Sequence, residues 1–287
     1  MSQSALAPVP RAVRVYLVIV ALFTLYVTFW GLFFPKGLPV QLPGFAKGFD
    51  DALPFNIQVP PLHARFIGSL YGAATVYLAL MAARAKGWSD LWMNATMIFV
   101  WTGALGVVSF LRLDIFDWAR PPVWAWFFAY IAFPLAAAWL LVRHRTSPTA
   151  GTGAPLSLLV KRFFSVQGVL VSALSAMLFL LPSVMQSVWP WPITPVLSQI
   201  YSAPLLGYGV CSLLVARARA WSEVRGFVVA EWVFAAGTLV ASLIHRSVFI
   251  YARPSSWIWF GCFAGLLIVL GTFATRSMLR EGAPNQA

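Results

Sequence analysis

Charge is what this sequence has least of. Asp, Glu, Lys and Arg make up 10% of the 287 residues, and only eight residues are acidic. A soluble globular domain carries about a quarter, so a water-facing surface over the whole chain is excluded. The apolar content also rules out a disordered chain. Cysteine is nearly absent. Cys211 and Cys262 have no Cys neighbour, and with only three His they make neither a disulfide framework nor a zinc module. Glycine follows no three-residue period, which excludes collagen. No phosphate loop, dinucleotide fingerprint, H-E-x-x-H, C-x-x-C or nucleophile elbow occurs. No motif names a reaction.

What is present is apolar: 60% hydrophobic residues, 16% aromatic, and a mean hydropathy of +0.80. A membrane helix needs about 20 mostly apolar residues. Eight stretches qualify, at 15–34, 64–83, 91–111, 122–142, 163–182, 198–216, 224–244 and 256–275. The fold expected is therefore an all-α integral membrane protein of eight transmembrane helices. The run from Val15 is too long for a signal peptide and has no small-residue cleavage site after it, so it reads as a retained span.

A net charge of +12 would point to nucleic acid in a soluble protein. Here the basic residues sit at the ends of apolar runs, and no nucleic-acid partner is expected. Arg11, Arg14, Arg84, Lys86, Arg143, Arg145, Lys161, Arg162, Arg217, Arg219, Arg225, Arg276 and Arg280 fall on one side. Lys36, Lys47, Arg112, Arg120, Arg246 and Arg253 fall on the other, with Arg65 opening the second span toward it. The positive-inside rule puts both termini in the cytoplasm of a bacterial inner-membrane protein.

The chain reads as a duplication. At an offset of 133, ARAKGWSD (83–90) aligns with ARARAWSE (216–223), and FDWARPPVWAWF (116–127) with FIYARPSSWIWF (249–260). Arg120 falls on Arg253, Pro121 on Pro254, Trp124 on Trp257, Trp126 on Trp259 and Phe127 on Phe260. Earlier in the chain the offset is 147, setting 14–35 on 161–182. The difference of 14 locates an insertion in the first outer loop, which carries Lys36, Lys47, Asp50 and Asp51. The expected units are a four-helix repeat over 1–142, a Ser/Gly/Pro-rich cytoplasmic linker over 143–160 and a second repeat over 161–287. Four spans per half make the repeats parallel rather than inverted, and a site could lie at their interface.

The candidate residues lie mostly at the outer face. The first half gathers Arg112, Asp114, Asp117 and Arg120 before Trp124 and Trp126; the second gathers His245, Arg246 and Arg253 before Trp257 and Trp259. Such clusters serve as interfacial anchors or line a pocket opening outward. Asp114 and Asp117 would most simply pair with Arg246 or Arg253 across the halves. Joined to His245 or His63 they would make a metal site only with more defined ligands, so no metal is expected. No His stands mid-membrane to hold a haem, and no cofactor is expected. Arg65 either snorkels to the headgroups or anchors an anionic ligand. Glu231 stands inside the seventh span, where an acid is costly and suggests function; it either faces a polar cavity or reaches back to Arg225. Gly68 with Gly72 and Gly261 with Gly265 form GxxxG pairs expected to pack helices closely. Pro134 is expected to kink the fourth span.

At PPLHARFIGSLYGA and RLDIFDWARPPVWAWFFAYIAFP the chain resembles uncharacterised multi-spanning bacterial inner-membrane proteins of DoxX-like type, in which an Ala-Arg followed by Gly and Tyr opens the second of four helices. The second half departs from this pattern, with Gln199 in place of the Arg. The resemblance implies a four-helix membrane unit and no activity. The leading expectation is transport or binding of a small or lipid-like ligand near the outer leaflet, at the repeat interface. Two others stand beside it. One is a non-catalytic accessory subunit packed on a partner membrane protein or a second copy of the chain. The other is a membrane-embedded enzyme acting on lipid or quinone, with Asp114 and Asp117 as acid and base.

Overall fold

The computed structural model describes residues 8–35, 59–145 and 154–282, with side chains placed as far as Thr275. The first-loop insertion with Lys36, Lys47, Asp50 and Asp51, and the middle of the linker, lie outside the described residues. Among the described residues there is no strand. The helices are α1 (Arg11–Phe33), α2 (Pro61–Arg84), α3 (Trp88–Leu111), α4 (Pro121–Arg143), α5 (Leu158–Leu180), α6 (Pro182–Val188), α7 (Pro195–Val215), α8 (Trp221–Ile244) and α9 (Pro254–Gly282).

Local chemistry sets most of the helix starts. Proline opens α2, α4, α6, α7 and α9, where its missing N–H costs nothing. The two Trp-Ser-acid starts use the acid as a cap. Asp90 accepts from the Lys86 N–H at 2.8 Å, and Glu223 accepts from the Arg219 and Ala220 N–H groups at 2.9 and 3.0 Å. Single 3-10 turns, Leu113–Ile115 and Arg246–Val248, follow α3 and α8. α4 runs unbroken through Pro134.

Among the described residues seven helices are long and apolar enough to cross a membrane; α6 and α7 are not among them. The protein is an all-α, multi-pass membrane protein. α7 fails on composition, not length, because its 21 residues include Ser198, Gln199, Ser202 and Ser212. Fourteen of those residues are buried, so its polar groups face protein rather than lipid. Ser198 Oγ donates to Leu178 O at 2.8 Å, and Gln199 Nε2 to Phe179 O at 3.3 Å. The periphery is the reverse: α1, α4, α5 and α9 turn Phe29, Leu135, Leu170 and Ile268 outward.

Helices pack as α1 on α2, α3 on α4, α5 on α7 and α8 on α9; across these pairs α2 lies on α8 and α3 on α7. The centre is therefore a four-helix core of α2, α3, α7 and α8. Glycine sets two of the crossings. A Cβ at Gly31 would lie 2.6 Å from Ala64 O and 2.8 Å from Gly68 Cα, and one at Gly168 would lie 2.7 Å from Leu213 N. Backbone touches backbone at both places, the close approach that small residues permit in membranes. Gly72 meets only the Thr28 side chain, and Gly261 and Gly265 meet nothing within 4 Å. The second GxxxG pair faces outward instead of packing α9 inside the protein.

Contacts tie the helix ends into two layers. At the arginine-rich end Arg14 donates to the Ala82 and Ala85 carbonyls of α2, Trp88 stacks on His144, and Leu156 N–H reaches Arg219 O at 3.2 Å. At the opposite end α6 and the loop after it fold inward. Trp191 is fully buried against Phe249 and Trp259, and Arg253 clamps the loop through Gln186 O at 3.2 Å and Trp189 O at 2.7 Å.

Candidate functional site

The candidate residues at the end opposite the arginine-rich one are largely taken up by structure. Arg65 on α2 donates from Nε to Leu32 O at 3.2 Å, an orphaned carbonyl at the end of α1, and its Nη1 hydrogen-bonds His245 Nε2. His245 follows α8 directly, and burial, with the Arg65 guanidinium second, holds its imidazole below the usual His range. It is therefore the acceptor in this bond. Arg112, just after α3, donates from Nε to Gln199 Oε1 at 2.8 Å, while Gln199 caps the Phe179 carbonyl at the end of α5. Both arginines thus bond across helix pairs.

The aspartates do not meet the arginines. Among the described residues neither Asp114 nor Asp117 contacts Arg246 or Arg253. Asp114 is exposed, and Asp117 Oδ1 accepts from the Ala119 N–H at 3.2 Å in its own turn. Arg120 caps the start of α4, its N–H donating to Asp117 O at 2.9 Å. Arg246 is exposed, and Arg253 is the loop clamp already described. No cluster of three His, Cys, Asp or Glu side chains forms among the described residues. His63 lies buried away from the aspartates. Its Nε2 sits 3.0 Å from Pro192 O and must donate there, so Nδ1 accepts from the Tyr201 hydroxyl.

The space in the molecule lies deeper. A small cavity of about 40 Å³, open at one side, runs among α1, α2, α3 and α4 and reaches α7 and α8. Its walls are largely aromatic and aliphatic: Phe23, Tyr71, Met97, Trp101 and Phe133. Tyr71 and Tyr130 hydrogen-bond each other through their hydroxyls. A smaller apolar void of about 10 Å³ shares Tyr71 and Trp101 as walls and continues between α2 and α7 toward Tyr201.

Three residues that line the first cavity each carry an unmatched polar atom. The Tyr77 hydroxyl, the Tyr208 hydroxyl and Asn94 Oδ1 are buried with no hydrogen-bond partner among the described residues. Each of these side chains is 2% exposed or less. A buried polar group without a partner costs about 1–3 kcal/mol.

Glu231 stands beside this cavity. It is ten residues into α8, about 15 Å at the helical rise and so near the middle of a hydrocarbon core of about 30 Å. It does not reach back to Arg225. Its Oε1 accepts from Gln167 Nε2 of α5, and it lies within electrostatic reach of Tyr208 and Cys211. The neighbouring Ala230 lines the cavity.

Among the candidates read from sequence, then, Arg65 meets His245, and Glu231 borders the cavity. Tyr77, Tyr208 and Asn94 were missed. The signal was present: Asn94 is the one Asn inside an apolar run, and both tyrosines stand within helices rather than at interfacial ends. Neither a protein-family model, a curated protein nor a solved structure matches the chain.

Proposed function

We propose that the protein is a bacterial inner-membrane protein that binds or transports a small, uncharged, mainly apolar molecule in this mid-membrane cavity. The observation that carries it is the trio of residues with buried, unpartnered polar atoms, Tyr77, Tyr208 and Asn94, gathered around one largely apolar space. No charged side chain lines that space, so the ligand is neutral. The aromatic walls favour flat or chain-like apolar groups. Two hydroxyls and an amide oxygen suit a ligand with a hydroxyl or carbonyl group. The outer-leaflet position is less well supported, since Arg65, Arg112, His245 and Arg253 are engaged in structural bonds. The catalytic role for Asp114 and Asp117 loses support for the same reason: one is exposed and the other closes a turn.

The same proposal takes the chain as eight spans in two parallel repeats with both termini in the cytoplasm. Several pairs of contacts support the duplication. Trp126 Nε1 donates to Ser109 Oγ at 2.9 Å and Trp259 Nε1 to Ser242 Oγ at 3.0 Å, 133 residues on. The Arg65–His245 contact corresponds to the Gln199–Arg112 contact with the arginine moved to the other partner, and the carbonyls capped, Leu32 and Phe179, are 147 apart. α7 takes the place of α2 in the second repeat, which supports counting it as a span. The many Lys and Arg at the end carrying Arg14, Arg84 and Arg143 support a cytoplasmic placement.

Native mass spectrometry of the full chain, released from lipid nanodiscs, tests the function. A neutral molecule bound at one per chain, lost in Ala74→Phe, is the expected result. A co-purifying polypeptide with no small molecule would favour the accessory-subunit reading instead.

A further inference from the structure

Three residues on the wall of the first cavity are apolar: Val20 of α1, Leu78 of α2 and Ile98 of α3. Under the proposed duplication their counterparts, 147, 134 and 133 residues on, are Gln167 of α5, Ser212 of α7 and Glu231 of α8. These three polar residues meet in the structure. Gln167 Nε2 donates to Glu231 Oε1 and lies 3.4 Å from Ser212 Oγ. What is an apolar wall in one half is a polar trio in the other.

We propose that this trio is a proton-binding site in the membrane interior, where Glu231 is held as a carboxylic acid paired with the Gln167 carboxamide. The hydrogen-bond inventory leads there. Glu231 Oε2 and Gln167 Oε1 are both buried without a partner among the described residues. A single proton on Oε2, donated to Gln167 Oε1, would close a two-bond acid–amide ring and match both atoms. It would also remove a charge that has no counter-charge. The groups facing Glu231 are Gln167 on α5 and Tyr208, Cys211 and Ser212 on α7, with Tyr77 of α2 beyond them; none is a base. The ionisable side chain among the described side chains of α9, Cys262, is exposed. An ionised carboxylate among these neighbours would be an unpaired charge in hydrocarbon. A metal ion fits less well, because one carboxylate, one amide and one hydroxyl oxygen are fewer ligands than hard cations take. The site rests on the duplication and on α8 crossing the membrane, and is independent of the ligand assigned to the first cavity.

Infrared difference spectroscopy tests it on the full chain reconstituted in phosphatidylethanolamine–phosphatidylglycerol vesicles. The expected result at neutral pH is a carbonyl stretch of a protonated carboxylic acid that is absent in Glu231→Gln. In Gln167→Leu the same band moves in frequency because its amide partner is gone. If the band is missing in the wild type and Glu231 contributes to the carboxylate region, the proposal fails. It fails too if sodium in place of potassium erases the band, since the site would then hold a metal ion. Should Glu231→Gln not fold, the Gln167→Leu shift decides alone, and an unmoved band overturns the pairing.

Discussion

Replacing Tyr208 by Phe should stabilise the empty protein and weaken ligand binding, two effects of opposite sign from one oxygen atom. In the wild type the hydroxyl is 2% exposed at the level of its residue and has no partner among the described residues. An unsatisfied buried polar group costs about 1–3 kcal/mol. Removing the oxygen while keeping the ring removes that cost and leaves the contacts with Phe234, stacked at 5.1 Å, intact. Tyr77→Phe removes a second such oxygen on the opposite helix, and the double variant should gain up to twice as much. With ligand bound the hydroxyl would be a partner worth about 0.5–1.5 kcal/mol, so its loss should weaken binding roughly 2- to 13-fold. The assay is thermal unfolding of delipidated protein, followed by the same measurement with the molecule that co-purifies. If Tyr208→Phe lowers the stability of the empty protein by about 1 kcal/mol or more, the hydroxyl has a structural partner. The cavity would then be no binding site.

Other consequences follow from particular contacts. His245 is held below its ordinary value near 6.5, so the unfolded chain takes up the proton first as the solution is acidified. Stability should therefore be full above that value and fall as pH drops through it, and His245→Gln, which keeps an acceptor for Arg65 without titrating, should flatten the acid side of the profile. Gly31→Ala puts a methyl group 2.6 Å from a backbone oxygen, which no side-chain rotation relieves; a loss of about 1–3 kcal/mol, read as a lower unfolding temperature, is expected. Gly261→Ala meets nothing and should change stability little, unless that face of α9 packs on another chain. Arg253→Ala frees two carbonyls of the α6 loop and should raise quencher access to Trp189 and Trp191, both now buried.

Much of the architecture was legible because its signals are local. Apolar runs gave most helix ends within a few residues of those observed; α5 begins at Leu158, five residues before the expected span, and α9 runs on to Gly282, seven residues past its expected end. The repeated Ala-Arg-Pro corner marked two equivalent bends. α6 was not legible: seven residues behind a proline carry no periodicity to separate them from a loop. α7 was read as a span on length; its serines and Gln199 lower its hydropathy, and Ser198 and Gln199 bond to α5 inside the protein.

The site was harder to read for a physical reason. Arg65 and His245 lie 180 residues apart, and only folding brings α2 onto α8. The charges at the end opposite the arginine-rich one drew attention because charge is rare here, yet Arg65, Arg112 and Arg253 bond to carbonyls, a glutamine and a histidine. Glu231 could be singled out from the cost of burying an acid, but its partner could not, since Gln167 is an ordinary polar residue until α5 lies against α8. Tyr77 and Tyr208 read as two aromatic residues among many, and their hydroxyls matter only once their surroundings are known to offer them nothing.

The most direct test of the central claim is an experimental map of the full chain purified in its native lipids. The account predicts non-protein density between Phe23, Trp101 and Phe133, within hydrogen-bonding distance of the Tyr77 and Tyr208 hydroxyls and Asn94. A cavity closed by its own side chains, with the two hydroxyls bonded to protein, would contradict it.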